Sequence, residues 1–398
     1  MLMRVSMAEP RWGAWAGPIA CSLTAAFVLL DSPSAAQSPE AAGGVPREVV
    51  QIAPGMVWPA VEAPPPGTMI ELAGPGVHLP AVLDGLRGTK DRPIVVRRSV
   101  GGTTAPFVVG GETGLLIRDC EHLLVEEIAF IGATRRAVRI ENCRNIAVRN
   151  VLVARLGPDA DADGIEIADS TEIELRTIRF DGWQDAGLEL TGVSGFGGSD
   201  LQFTPLTRHR NRTAIRVGAG CRDVRLSEFS TRSIPVAVDI GTPVASDLTP
   251  PNARPETAPR SPRGVVVERA RLDRPEIAVR LADAEDVQLR RLTITNPGTV
   301  FEIEAADLRS ARFSENLMVW DPGSLKAFAK VIRGDEDLEL GTNLWWSAEL
   351  PAALPLLGDF PGRTSAPQRF SPDPRLAPQG HPTADGARGL GRPAPGES

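Results

Sequence analysis

Seven acids crowd two short segments. Asp159, Asp161, Asp163 and Glu166 fall in "DADADGIE" (159–166), and Asp181, Asp185 and Glu189 in "DGWQDAGLE" (181–189). Carboxylates held this close repel, so at least one is expected to keep its proton at higher pH than usual, as a general acid must. Glycosidic bonds are hydrolysed by two carboxyls about 5 to 9 Å apart. Asp163 and Asp185 are 22 residues apart, and the spacing predicts the same station on consecutive turns of a coil, at the lower end of that range. Glu166 and Glu189 would support the pair. The same oxygen-rich cluster suits a hard cation such as calcium, with Asp159 and Asp161 as ligands. A third reading is plain surface charge, neutralised by Arg179 and Arg208. Elimination of a uronate needs a different set: a cation for the carboxylate and a base for the adjacent proton, drawn from Arg, Lys, Tyr, His or calcium. The chain has no Tyr, and no Lys between residues 91 and 325, which leaves Arg216 as the candidate. His209, in "TRHRNRT" (207–213), could act as a base, although its arginine neighbours would depress its pKa.

These residues need a scaffold, and the sequence supplies a repeat. "GLLIRDCEHLLVEEIAF", "AVRIENCRNIAVRNVLV", "GIEIADSTEIELRTIRF" and "AVRLADAEDVQLRRLTI" share one plan: an alternating strand, a polar turn, a second alternating strand and a third apolar pair. The last apolar residue of each first strand runs Ile117, Ile140, Ile167, Leu190, Val217, Ile240, Leu281, Ile303, at intervals of 23, 27, 23, 27, 23, 41 and 22. A period near 23 with insertions predicts an all-β parallel β-helix solenoid of about 8–10 turns, each burying its apolar face on the next. Alternation points Val138 and Ile140 inward, and Arg139 and Glu141 outward. The residue before each marker then forms an outer column, Leu116, Arg139, Glu166, Glu189, Arg216, Asp239, Arg280 and Glu302. Its charges alternate in sign except at Glu166 and Glu189, as a solvated ladder of ion pairs would. Asp119, Asn142, Asp169 and Asp283 recur at the first turn, where short polar side chains can bond turn backbone.

The 398 residues are 42% hydrophobic and 23% charged, enough for one large domain with a substantial core. With 50 acids against 43 bases and a net charge of −7, the chain lacks the basic footprint of a nucleic-acid binder. Residues 1–36 read as an export signal: Arg4 and Arg11, the apolar run "AGPIACSLTAAFVLL" (16–30), then Ser34-Ala35-Ala36. The run is too short to span a bilayer, so no membrane partner is expected after cleavage. The expected location is secreted or periplasmic. Three cysteines would remain, Cys120, Cys143 and Cys221. Cys120 and Cys143 share a turn station, within reach of a disulfide or of simple stacking, and Cys221 reads as a buried thiol. The expected organisation is an N-terminal segment and cap over 37–92, with a short-helix signal at 58–63, and the coil over 93–346. Within the coil a loop insertion is expected at 241–264, and after the coil an irregular extension over 347–398. Trp345 and Trp346 read as closing the apolar interior.

The entry segment "PPPGTMIELAGPGVHLPAVLDGLRGTKDRPIVVRR" (64–98) and the exit "NLWW" (343–346) with "DPRLAP" (373–378) resemble those of secreted right-handed parallel β-helix proteins, the pectate-lyase-like superfamily. The resemblance implies the right hand and action on polysaccharides. "DADG" (161–164) resembles the first catalytic station of polygalacturonase-like hydrolases, placing Asp163 on its Asp. "QDAG" (184–187) keeps Asp185 of the second but has Ala186 for the other acid, and Thr213 stands at the third with no His. "TAIRVG" (213–218) resembles an element of chondroitinase-B-like alginate lyases, implying a role for Arg216, with Val217 in place of the His. Two functions follow as expectations: a hydrolase or lyase acting on an acidic polysaccharide, or a non-catalytic glycan-binding or structural protein. In either case a monomer is expected, with calcium as the one candidate cofactor.

Overall fold

The computed structural model describes residues 48–58, 64–74, 76–102, 104–206, 210–242, 261–304, 308–333 and 338–347, with short strands at 363–364 and 369–370. Residues 1–36, read above as an export signal, all of the short-helix signal but Trp58, His209, most of the 241–264 insertion and most of the C-terminal extension lie outside the described residues. Every element named in the described residues is a strand.

The strands wind as a parallel coil. Ten form one sheet, stacked in sequence order from Ala81–Asp84 through Asp163–Ala168, Ala186–Thr191 and Thr213–Val217 to Ala327–Arg333. The second and third strands of each turn share a second, larger sheet. The register is the one the repeat predicts: Ile140 pairs Ile117 and Ile167, Ile167 pairs Leu190, Leu190 pairs Val217, and the column continues through Ile240, Leu281 and Ile303. Parallel stacking begins before Pro93, because Val49–Ile52 already pairs Met69–Leu72, and that strand pairs the one at Ile94–Arg98.

One continuous apolar core runs up the coil. Each aliphatic side chain fully removed from water contributes about 1.5–3 kcal/mol, so stability accrues turn by turn through stacking. Phe180 and Phe203, one turn apart, stack with ring centres 4.5 Å apart and planes 3° from parallel. Those rings, together with the facing carbonyls of Gly187 and Ala214, explain two glycines. A Cβ on Gly164 would lie 2.8 Å from Phe180 Cδ1, and one on Gly187 would lie 2.7 Å from Phe203 Cε1. The glycines of "DADG" and "QDAG" are therefore required by packing beneath the acids.

The first turn station is equally physical. Asp119, Asn142 and Asp169 adopt φ of 53°, 52° and 45°, the left-handed conformation that Asn and Asp tolerate best among residues with a Cβ. Asp283 is not among the left-handed residues. Cys120 and Cys143 stack as buried free thiols, with the Cys120 amide donating to Cys143 Sγ at 3.4 Å. Cys221 is buried and free, and burial pushes its thiol up to about 12. Trp345 points into the core, as expected. Trp346 faces outward, onto Leu317, Val319 and Leu344, because consecutive strand residues alternate sides.

Candidate active site

The outer face of the ten-stranded sheet carries the charged column in the expected order, Arg139, Glu166, Glu189, Arg216, Asp239, Arg280, Glu302, followed by Lys330. Most of it is a ladder of ion pairs. Arg280 bonds Glu302 at 2.8 Å, Lys330 bonds Glu302 at 3.2 Å, and Arg139 bonds Glu141 at 2.9 Å. The like-charge neighbours Glu166 and Glu189 avoid one another by turning to opposite partners. Glu166 lies against Arg136 Nε, with Arg139 at 3.8 Å, whereas Glu189 accepts from Arg216 at 2.8 Å.

At this break in the ladder, Asp163, Asp185 and Glu189 converge, each offering a carboxylate oxygen within 4.8 Å of the others. The meeting differs from the sequence expectation by one residue. Asp163 opens its strand beside Ala186, and its Oδ1 accepts the Ala186 amide at 2.9 Å. Asp185 therefore sits one position earlier, in the corner. The chain interval of 22 residues falls one short of the local register of 23, which joins Ile165 to Leu188. Convergence survives because the corner turns Asp185 back over the sheet.

Asp163 is 4% exposed. Burial foremost, then the neighbouring charge of Glu189, pushes it well above the ordinary carboxylate range; the Ala186 amide and Arg216 oppose the shift, and Asp185 adds to it. Burial also raises Glu189, against the pull of Arg216. Arg216 bridges the other two acids, reaching Asp185 Oδ2 at 2.7 Å and Glu189 Oε2 at 2.8 Å. One buried carboxyl with a raised pKa thus lies beside two held by a guanidinium. Asp239, one turn on and fully buried, is likewise raised by burial, with Thr242, Arg216 and Arg280 opposing.

The corner that carries Asp185 is pinned by residues the repeat does not reveal. Trp183 is fully buried, and its Nε1 donates to the Thr213 carbonyl at 2.7 Å. Its amide donates to Asn211 Oδ1 at 3.2 Å. Gln184 spans three turns: its Nε2 donates to the Gly157 carbonyl, and its Oε1 accepts the Arg210 amide, each at 3.1 Å. A site placed this way holds its geometry without substrate. Trp183, Gln184 and Asn211 occur once, off the repeat. Their only sequence signal was that polar and aromatic residues interrupt the corner.

The triad Asp163, Asp185 and Glu189 could hold a metal ion. Asp159 and Asp161 are not part of it; Asp161 is mostly exposed and bonds Arg135 at 3.4 Å. The donor set is all oxygen, which suits a hard cation, but Arg216 occupies the space between two of the acids and competes with one.

No protein-family model matches the chain, and no curated protein matches it in sequence. Solved structures share its winding. An alginate lyase from Paenibacillus sp. aligns at 9% identity and TM-score 0.43, over 77% of this chain and 91% of its own. A GH136 lacto-N-biosidase from Eubacterium ramulus aligns at 10% identity and TM-score 0.47, over 78% of this chain but only 63% of its own length. A family 28 exopolygalacturonase from Yersinia enterocolitica aligns at 9% and 0.40, over 83% and 79%. At these identities the site rests on the side chains of this chain alone.

Proposed function

We propose that the protein is an exported β-helix hydrolase that cleaves a glycosidic bond in a polysaccharide laid across the outer face of the ten-stranded sheet. The observation that carries the reading is the pairing of unlike carboxyls. Asp163 is buried and biased to its protonated form, while Asp185, a carboxylate oxygen within 4.8 Å, is bonded by Arg216. Unlike surroundings give two neighbouring carboxyls different roles. Asp163 would protonate the leaving glycosidic oxygen, and Asp185, held by Arg216, would act as its partner carboxyl, at the short separation of a retaining pair, about 5–5.5 Å. Arg216 holds Asp185 and Glu189, which places it among the positioning groups and leaves it unfree to neutralise a uronate for elimination. Glu166 is committed to Arg136 and Arg139 and supports the sheet rather than the chemistry.

A non-catalytic glycan-binding protein is the second reading, favoured by one observation: ion pairing extends through the site with little interruption. A panel of polysaccharides separates the two. Hydrolysis releases reducing ends without unsaturated uronates, and Asp163→Asn abolishes release while the circular dichroism spectrum stays unchanged. Unsaturated products would identify a lyase. A ligand-induced rise in melting temperature with no cleavage of any glycan would identify a binding module.

A further inference from the structure

One cation at the mouth of this site is engaged only by a single long ion pair. Residues just ahead of the strands form a corner column, Arg135, Ala162, Asp185, Arg212 and Pro235, tied by backbone bonds from Asp185 to Ala162, from Thr213 to Asp185 and from Val236 to Arg212. Arg212 therefore has an acid on one side and a proline on the other. That acid is already engaged: Arg216 bonds Asp185 at 2.7 and 3.4 Å, whereas Arg212 stands 3.6 Å from Asp185 Oδ1, outside hydrogen-bond distance. The Arg212 side chain is 52% exposed. Among the described residues its guanidinium makes no hydrogen bond. Arg135, three turns earlier in the same column, is 28% exposed and bonds both Glu112 and Asp161. Arg136, Arg139, Arg216 and Arg280 are all paired on the ladder.

We propose that Arg212 anchors an anionic substituent of the substrate, a carboxylate or a sulfate, and so makes the site selective for an acidic polysaccharide. The inference rests on the hydrolase reading of the same site and names its substrate class. A planar guanidinium presents its donors as a fork that matches two oxygens of one anion. A neutral sugar would leave that fork solvated. Arg216 already offsets Asp185 and Glu189, and Arg136 offsets Glu166, which leaves the charge of Arg212 available to an anionic sugar.

Binding can be tested without turnover on the Asp163→Asn protein, by titration calorimetry at low salt. Polygalacturonate is compared with its full methyl ester, and κ-carrageenan with agarose, which separates carboxylate from sulfate. One anionic polymer should bind at least about ten-fold tighter than its neutral counterpart, the scale of a lost charged hydrogen bond. Arg212→Gln should remove that preference and Arg212→Lys restore part of it. In the active enzyme, Arg212→Gln should raise KM with kcat held within a few-fold. Equal binding of charged and neutral chains, or a preference that survives Arg212→Gln, would overturn the assignment. Cleavage of a neutral glycan that Asp163→Asn blocks would leave the hydrolase standing and remove the anchor. Charge-selective binding lost in Arg212→Gln, with no cleavage of any glycan, would keep the anchor and remove the hydrolase.

Discussion

At the scale of single residues, Asp163 is costly to the fold. Its carboxyl titrates higher in the folded chain than in the unfolded one, so its contribution to stability is fully present below the ordinary carboxylate value and is lost as pH rises through the folded value. Asp163→Asn keeps the shape and removes the ionisation. It is expected to raise the melting temperature near neutral pH by about 1–2 °C while abolishing activity, measurable by calorimetry and reducing-end assay on one preparation. Arg216→Met should do the opposite. Asp185 and Glu189 would be left without their cation in a site where Arg216 is 14% exposed, a loss of about 3 kcal/mol in urea unfolding. The acids were legible in the sequence because their density is improbable for packing alone. Their register was legible only to within one residue, since a corner can absorb a residue without disturbing the strands. Trp183, Gln184 and Asn211 were not legible, because a residue that appears once leaves no period to read.

At the scale of strands and turns, alternation fixed inside and outside correctly for the marker column, and the marker pairing followed. Trp346 shows the limit of reading two adjacent aromatics as one feature: strand geometry sends them to opposite faces. The glycines of "DADG" and "QDAG" show another. They resembled part of a catalytic motif, yet they are explained by aromatic rings from the third strand and by backbone carbonyls of the next turn. Gly187→Ala should therefore cost about 1–3 kcal/mol by overpacking, because its Cβ would meet Phe203 at 2.7 Å and the Ala214 carbonyl at 2.8 Å. Pairing it with Phe203→Leu should recover only the part of the loss that the ring causes, since the Ala214 carbonyl stays, and urea midpoints of the two single variants and the double variant would show it. If the double variant were as unstable as the sum of the singles, the glycine would owe its place to something other than that ring.

At the scale of the whole molecule, the coil is a stack whose ends are its weakest turns. The first described turns hold His78, fully buried, with neither ring nitrogen in a hydrogen bond of good geometry. Burial lowers its pKa from the ordinary 6.5, and the nearby Ala73 carbonyl opposes that only in part. The unfolded chain takes up this proton more readily, so His78 stability is intact above about pH 6.5 and falls as pH drops. Melting curves between pH 7 and pH 5 should show that loss, and His78→Leu should flatten it. The period, the ladder and the core were legible in the sequence because stacking repeats one requirement many times. The candidate site stood out where acids crowd two consecutive turns and the column's charge alternation breaks, at Glu166 and Glu189. The protonation state of Asp163 is the point on which the function turns, and difference infrared spectroscopy of the wild-type protein against Asp163→Asn reads it directly. A protonated carboxyl band present at neutral pH and lost only well above the ordinary carboxylate range is the expected result. A carboxylate already ionised at the ordinary carboxylate pKa would contradict the assignment of the general acid.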